Sequence, residues 1–137
     1  MMIFRPLVFF LCCVALTANA VPDIGFGQTG EHPDSGTLVL PTSEGKVLAA
    51  LGDGELESAI AAAVATAKFG TEPDTTLSLF AMPPYQRVLL VETGEAGLDV
   101  RRLRSAGGVA AQALASADAT TGPVSVLLGK LDSTTDA

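Results

Sequence analysis

The chain has no tryptophan, one tyrosine and one histidine, and its two cysteines are the adjacent pair Cys12 and Cys13. His32 precedes Pro33 in a polar stretch. With no second histidine and no later cysteine, it cannot complete a zinc set or a catalytic pair, so it reads as a surface imidazole. Positive charge is scarce as well. Eight Lys and Arg stand against fifteen Asp and Glu, a net charge of −7, which disfavours nucleic acid and anionic membranes as partners. The serines lie in no Gly-x-Ser-x-Gly setting, which argues against a serine hydrolase. The glycines of Thr93-Gly94-Glu95-Ala96-Gly97 match neither a dinucleotide fingerprint nor a Walker A loop, and Glu92 and Glu95 would repel a phosphate there.

What is present divides into a leader and a patterned body. Residues 1–20, MMIFRPLVFFLCCVALTANA, carry Arg5, an apolar stretch from Leu7 to Thr17 and an Ala18-Asn19-Ala20 cleavage signature, so they predict a signal peptide cut after Ala20. The apolar stretch is shorter than the roughly 20 residues of a membrane span, so no stable span is expected after cleavage. Cleavage would remove both cysteines, and with them any disulfide or thiolate site. It would also remove Arg5 and no acid, making the chain one unit more negative. The product is expected to be secreted or periplasmic.

Residues 21–129 read as one α/β domain and 130–137 as a polar tail. Val21–Phe26 and Thr37–Leu40 are candidate strands, the second stopped by Pro41. GELESAIAAAVATAKFG puts Leu56, Ile60, Ala63, Val64 and Ala67 on one helical stripe, with Gly70 as its stop. Thr75–Ala81 alternates, PPYQ breaks the pattern, and Arg87–Glu92 is an almost unbroken apolar run of the kind found in a strand covered on both faces. A second helix opens on Asp99 as N-cap and carries Val100, Leu103, Ala106, Gly107, Ala110, Ala111 and Leu114. Arg101, Arg102 and Arg104 read as its solvated face, Asp53, Glu55 and Glu57 as acids favoured at a helix start, and Val124–Leu128 as the last strand. The order β, β, α, β, β, α, β predicts a mixed, mostly parallel sheet flanked by helices, with Val88–Val91 at its centre.

The stretches AVATAKFGTEPDTTLSLFA and YQRVLLVETGEAGLDVRRLRSAGGVAAQAL together resemble the N-terminal domain of the leucyl (cytosol) aminopeptidases, from about Asp23 to Leu128. The resemblance implies a macro-domain-like α/β fold. It also implies that two divalent metals, zinc or manganese, and the lysine, aspartates, glutamate and arginine that serve them belong to a separate C-terminal domain, before which this chain is expected to end. Thr135-Asp136-Ala137 echoes part of a metal motif of that domain, without its glutamate and arginine, and reads as coincidence. Where the family has Gly-Leu-Gly after the central strand, this chain has Glu92-Thr93-Gly94, which weakens an anion-binding role. No catalytic, cofactor-binding or metal residue is assigned. The implied role is a non-catalytic accessory or oligomerisation domain whose partner is a second copy or a catalytic aminopeptidase subunit. The alternatives are the N-terminal portion of an active metalloaminopeptidase and a binder of ADP-ribose-like ligands.

Overall fold

The computed structural model describes residues 35–95, 99–116 and 122–128. The leader with Cys12 and Cys13, the strand expected at Val21–Phe26, His32, Gly97 and the tail from 130 lie outside the described residues.

Seven elements follow one another: β1 Thr37–Ser43, β2 Lys46–Val47, α1 Gly54–Ala67, β3 Thr76–Met82, β4 Tyr85–Glu92, α2 Val100–Ala115 and β5 Val124–Val126. The sheet runs β2-β1-β4-β3, with β5 also pairing β1. It is mixed, as expected, but evenly so. β1 is parallel to β4 and β5, while β1–β2 and β3–β4 are antiparallel.

The alternation of β1 and β4 builds two apolar layers. Leu38, Leu40, Val88 and Leu90 point to the side covered by Leu56 and Ile60 of α1, and Val39, Leu89 and Val91 point to the side covered by Ala106 and Ala110 of α2. The Val88–Val91 run is therefore the covered centre, since its four residues are at most 1 % exposed. β1 is equally central, with Leu38 and Leu40 fully buried.

Pro41 does not stop β1. The strand continues to Ser43, with Pro41 opposite Val91. A residue's N–H and C=O point to the same flank of a strand, and the Pro41 carbonyl accepts from Leu48 N on the flank away from β4. On that flank β5 reaches only Val39, and β2 begins opposite Thr42. Pro41 thus faces Leu48 just past the end of β2, where the pair keeps the Leu48 N–H bond and lacks only its reciprocal, so proline costs at most one terminal bond of the ladder.

The helices start where the sequence places them. Asp53 accepts from Glu55 N at 3.0 Å and Leu56 N at 3.2 Å, and Asp99 accepts from Arg102 N at 2.7 Å. The end of α1 differs. Lys68 adopts the left-handed conformation at φ 52, and its N–H and that of Phe69 turn back to Ala65 and Val64, so the helix is closed two residues before Gly70. Gly70 serves another purpose: at φ +106, a Cβ there would sit 2.3 Å from Gly45 N, so only glycine lets the α1–β3 loop lie against the β1–β2 turn. In α2 the stripe is rotated from the expected one. Ala106, Ala110 and Leu114 pack on the sheet as expected and are joined by Val109 and Ala113, while Val100, Gly107 and Ala111 face solvent. Ala67 of α1 is likewise exposed.

Candidate functional site

β1 and β4 run parallel, so their carboxyl ends lie side by side, the place where open α/β sheets commonly present ligands. Three short segments converge there: the β1–β2 turn, the start of the β4–α2 loop and the N-terminal part of α2. Ser43 pairs with Lys46, and the intervening Glu44 and Gly45 both have positive φ, 50 and 74. A two-residue turn of this kind matches the strand twist and points consecutive N–H groups inward.

The group they point at is the side chain of Glu92, which is fully buried. Oε1 accepts from Glu44 N at 2.8 Å and Gly94 N at 3.0 Å, while Oε2 accepts from Gly45 N at 2.9 Å and the Thr42 hydroxyl at 2.9 Å. Four donors therefore surround one carboxylate, which is how a charge is held in a protein interior without a cation. Around this centre Thr93 donates both its N–H and its hydroxyl to Thr42 O at 2.8 Å, and Ser43 Oγ donates to Gly94 O at 2.7 Å. Arg102 Nη1 reaches from α2 to Thr93 O.

Two expectations are corrected here. Glu92 is more than an obstacle to phosphate, because its own carboxylate fills the N–H cradle that an external anion would use. Arg102 is more than part of a solvated face, because it ties α2 to the end of β4, whereas Arg101 and Arg104 are exposed as expected. Glu95 is exposed, and Glu57 accepts from Leu51 N at 3.1 Å ahead of α1.

A second polar feature lies on the α2 face, beyond the part of the sheet that α2 covers. A cleft of about 540 Å³ opens between β3 and α2, with Arg87 at its floor. Arg87 is 8 % exposed. Its Nη2 donates to Ser78 Oγ at 2.8 Å, its guanidinium lies 5.6 Å from the centre of the Phe80 ring, and its buried Nε has no hydrogen-bond partner. At the cleft's edge Asp74 Oδ1 accepts from Ser105 Oγ at 2.7 Å.

Among the described residues no group of three or more His, Cys, Asp and Glu is placed to hold a metal ion, and no helix is long and apolar enough to cross a membrane. The buried carboxylate of Glu92 is already committed to four protein donors.

A mixed sheet with one helix on each face, closed at its parallel strand ends by an internal carboxylate, defines a small α/β domain built on scaffold contacts. Within that class the chain belongs to the cytosol aminopeptidase family, whose N-terminal domain profile matches residues 39–136. No curated relative and no solved structure matches the chain. The family is metal-dependent, and the donor set of the described residues does not fit a metal pair.

Sequence reasoning missed three features: the β1–β2 hairpin, the burial of Glu92 and the burial of Arg87. Glu44-Gly45 between Thr42-Ser43 and Lys46-Val47 is the signal that could have given the hairpin. Glu92 and Arg87 bracket an apolar run, and only their tertiary partners show that they are inside.

Proposed function

We propose that this chain is a non-catalytic accessory domain of an exported aminopeptidase-family protein, with a macro-domain-like arrangement and residues 21–129 as its folded body. The leader is removed after Ala20, and the product acts outside the cytoplasm, in the periplasm or secreted. The observation that carries this reading is Glu92. Its carboxylate occupies the N–H cradle at the strand ends, so the position where an α/β sheet would take an anionic ligand is used for internal cohesion. Function then falls to the outer surfaces, through association with a second copy or with a catalytic aminopeptidase subunit.

Peptide hydrolysis at neutral pH requires an activated water and a stabiliser for the developing oxyanion, which in metallopeptidases a metal site supplies. The lysines of this chain, Lys46, Lys68 and Lys130, stand apart from one another in the sequence and in no carboxylate cluster. The experiment is to express the full chain in a secreting host, purify the exported product, sequence its N-terminus and assay it. The expected product begins at Val21 and releases no nitroaniline from leucyl-p-nitroanilide, with or without manganese or zinc. A cytoplasmic product retaining Met1 contradicts export. Metal-dependent turnover that is lost when residues 87–128 are deleted contradicts the non-catalytic role.

The family match also favours a second reading, in which the chain is the N-terminal portion of an active metalloaminopeptidase. An in-frame downstream segment carrying lysine, aspartate and glutamate metal motifs would select it.

A further inference from the structure

We infer that the cleft between β3 and α2 is a binding site for a small monocarboxylate with a short apolar chain, and that Arg87 is its anchor. The inference does not rest on the accessory role.

The first observation is the state of Arg87. A guanidinium carries five N–H donors and stays charged at any physiological pH. Here it is more than nine-tenths buried, yet among the described residues its one side-chain acceptor is the Ser78 hydroxyl and no carboxylate pairs with it. The unpartnered Nε is the buried side-chain polar atom among the described residues that lacks a hydrogen bond. Burying a cation without an anion is costly; Nε itself is closed to solvent, and a ligand carboxylate would meet the part of Arg87 that lines the cleft, supplying the missing countercharge.

The second observation is the space. At about 540 Å³ the cleft is within the range of small-molecule sites. Its walls differ in character. Thr76 and Ser78 of β3 offer hydroxyls beside Arg87, while the α2 wall sets the methyls of Val109 and Ala113 beside the polar Gln112 and Ser116. A polar head toward β3 and an alkyl chain toward α2 satisfy both walls.

The third observation selects among anions. Asp74 lines the same cleft and repels a dianion more than a monoanion. A planar monoanion fits better than phosphate, and the exposed Phe80 ring, 67 % accessible, extends the apolar rim next to the guanidinium.

A free acid and the carboxyl terminus of a peptide share this chemistry. The full chain, isotopically labelled, is therefore titrated separately with pentanoate, acetyl-trialanine, pentanamide and inorganic phosphate, following backbone amide shifts. Pentanoate or acetyl-trialanine should move Thr76, Ser78, Gln112 and Ala113 saturably, the tighter of the two naming the source of the carboxylate. Pentanamide should bind at least about tenfold more weakly, the factor expected for loss of a charged hydrogen bond. Arg87→Met should abolish the response. Should that variant fail to fold, Gln112→Glu, at an exposed position of α2, places a carboxylate at the cleft and should also suppress binding while leaving the fold intact. Equal response to pentanoate and pentanamide, tighter binding of phosphate, unaltered binding in Gln112→Glu, or no saturable shifts with either carboxylate would each overturn the proposal.

Discussion

Replacing Glu92 with leucine should destabilise the domain by about 3–5 kcal/mol, measured by urea denaturation of the full chain. The side chain is fully buried and accepts from three backbone N–H groups and one hydroxyl. Leucine has similar bulk and no acceptor, so the three backbone donors lose their partner together, while the Thr42 hydroxyl keeps Val91 O at 3.2 Å as an acceptor. Each buried donor left unsatisfied costs roughly 1–3 kcal/mol, with the lower end applying where water can enter. Glu44 and Gly45 lie in a surface turn, and water reaching their N–H groups keeps the total below the simple sum. Glu92→Gln separates charge from shape. One oxygen becomes an NH₂ group facing two donors, so about half of the loss should remain. Equal stability of wild type, Glu92→Gln and Glu92→Leu would mean that the carboxylate does not hold the junction.

Leu90→Asp should be at least as damaging, by about 3–5 kcal/mol or more, since it removes a core side chain and places an unpaired carboxylate in the same position. Leu90 is fully buried and lies in the α1-side layer with Leu38, Leu40, Val88 and Ile60. No described residue of that layer is charged, so nothing offsets the carboxylate. Leu90→Ala isolates the cavity contribution, on the order of 2–5 kcal/mol for a buried leucine. The aspartate should exceed the alanine. Melting of Leu90→Asp at the wild-type temperature would place Leu90 on the surface and overturn the assignment of β4 as the covered central strand.

The contrast between these two residues shows what the sequence displays and what it hides. Leu90 belongs to an unbroken apolar run, and burial on both faces of a sheet is a property of composition along a few neighbouring residues. Asp53 and Asp99 are legible for a similar reason, because an N-cap acts on N–H groups two and three residues away. Glu92 depends on partners at 42, 44 and 45, about fifty positions earlier, which become its neighbours only when β1 and β4 align in parallel. A glutamate following an apolar run is ordinarily read as the point where the chain returns to water, and here the return is delayed until Gly94 and Glu95.

Pro41 and Gly70 show the same division. Each is a strong local punctuation mark that reads locally as a strand stop and a helix stop. Pro41 sits at the end of the β1–β2 pairing, where only one terminal bond is lost, and the close approach of Gly45 gives Gly70 its purpose. The rotation of the α2 stripe onto Val109 and Ala113 is subtler. Small residues surround that helix, so composition weakly fixes which side turns inward, and the contact with the sheet selects it.

The junction built on Glu92 also accounts for the difference from the glycine-rich turn seen in the resemblance. A Gly-Leu-Gly sequence carries no side-chain carboxylate, whereas Glu92-Thr93-Gly94 brings its own anion and the Thr93 hydroxyl that bonds Thr42 O. The consequence is a strand end that coheres internally, with the Glu44, Gly45, Thr93 and Gly94 N–H groups already engaged.

The strand-end cradle is filled by the chain itself, so calorimetric titration of the purified full chain with ADP-ribose should give no heat of binding beyond dilution. Saturable heat from the wild-type chain, accompanied by amide shifts at Glu44, Gly45 and Gly94, would show that the ligand displaces the Glu92 carboxylate and would contradict a filled cradle.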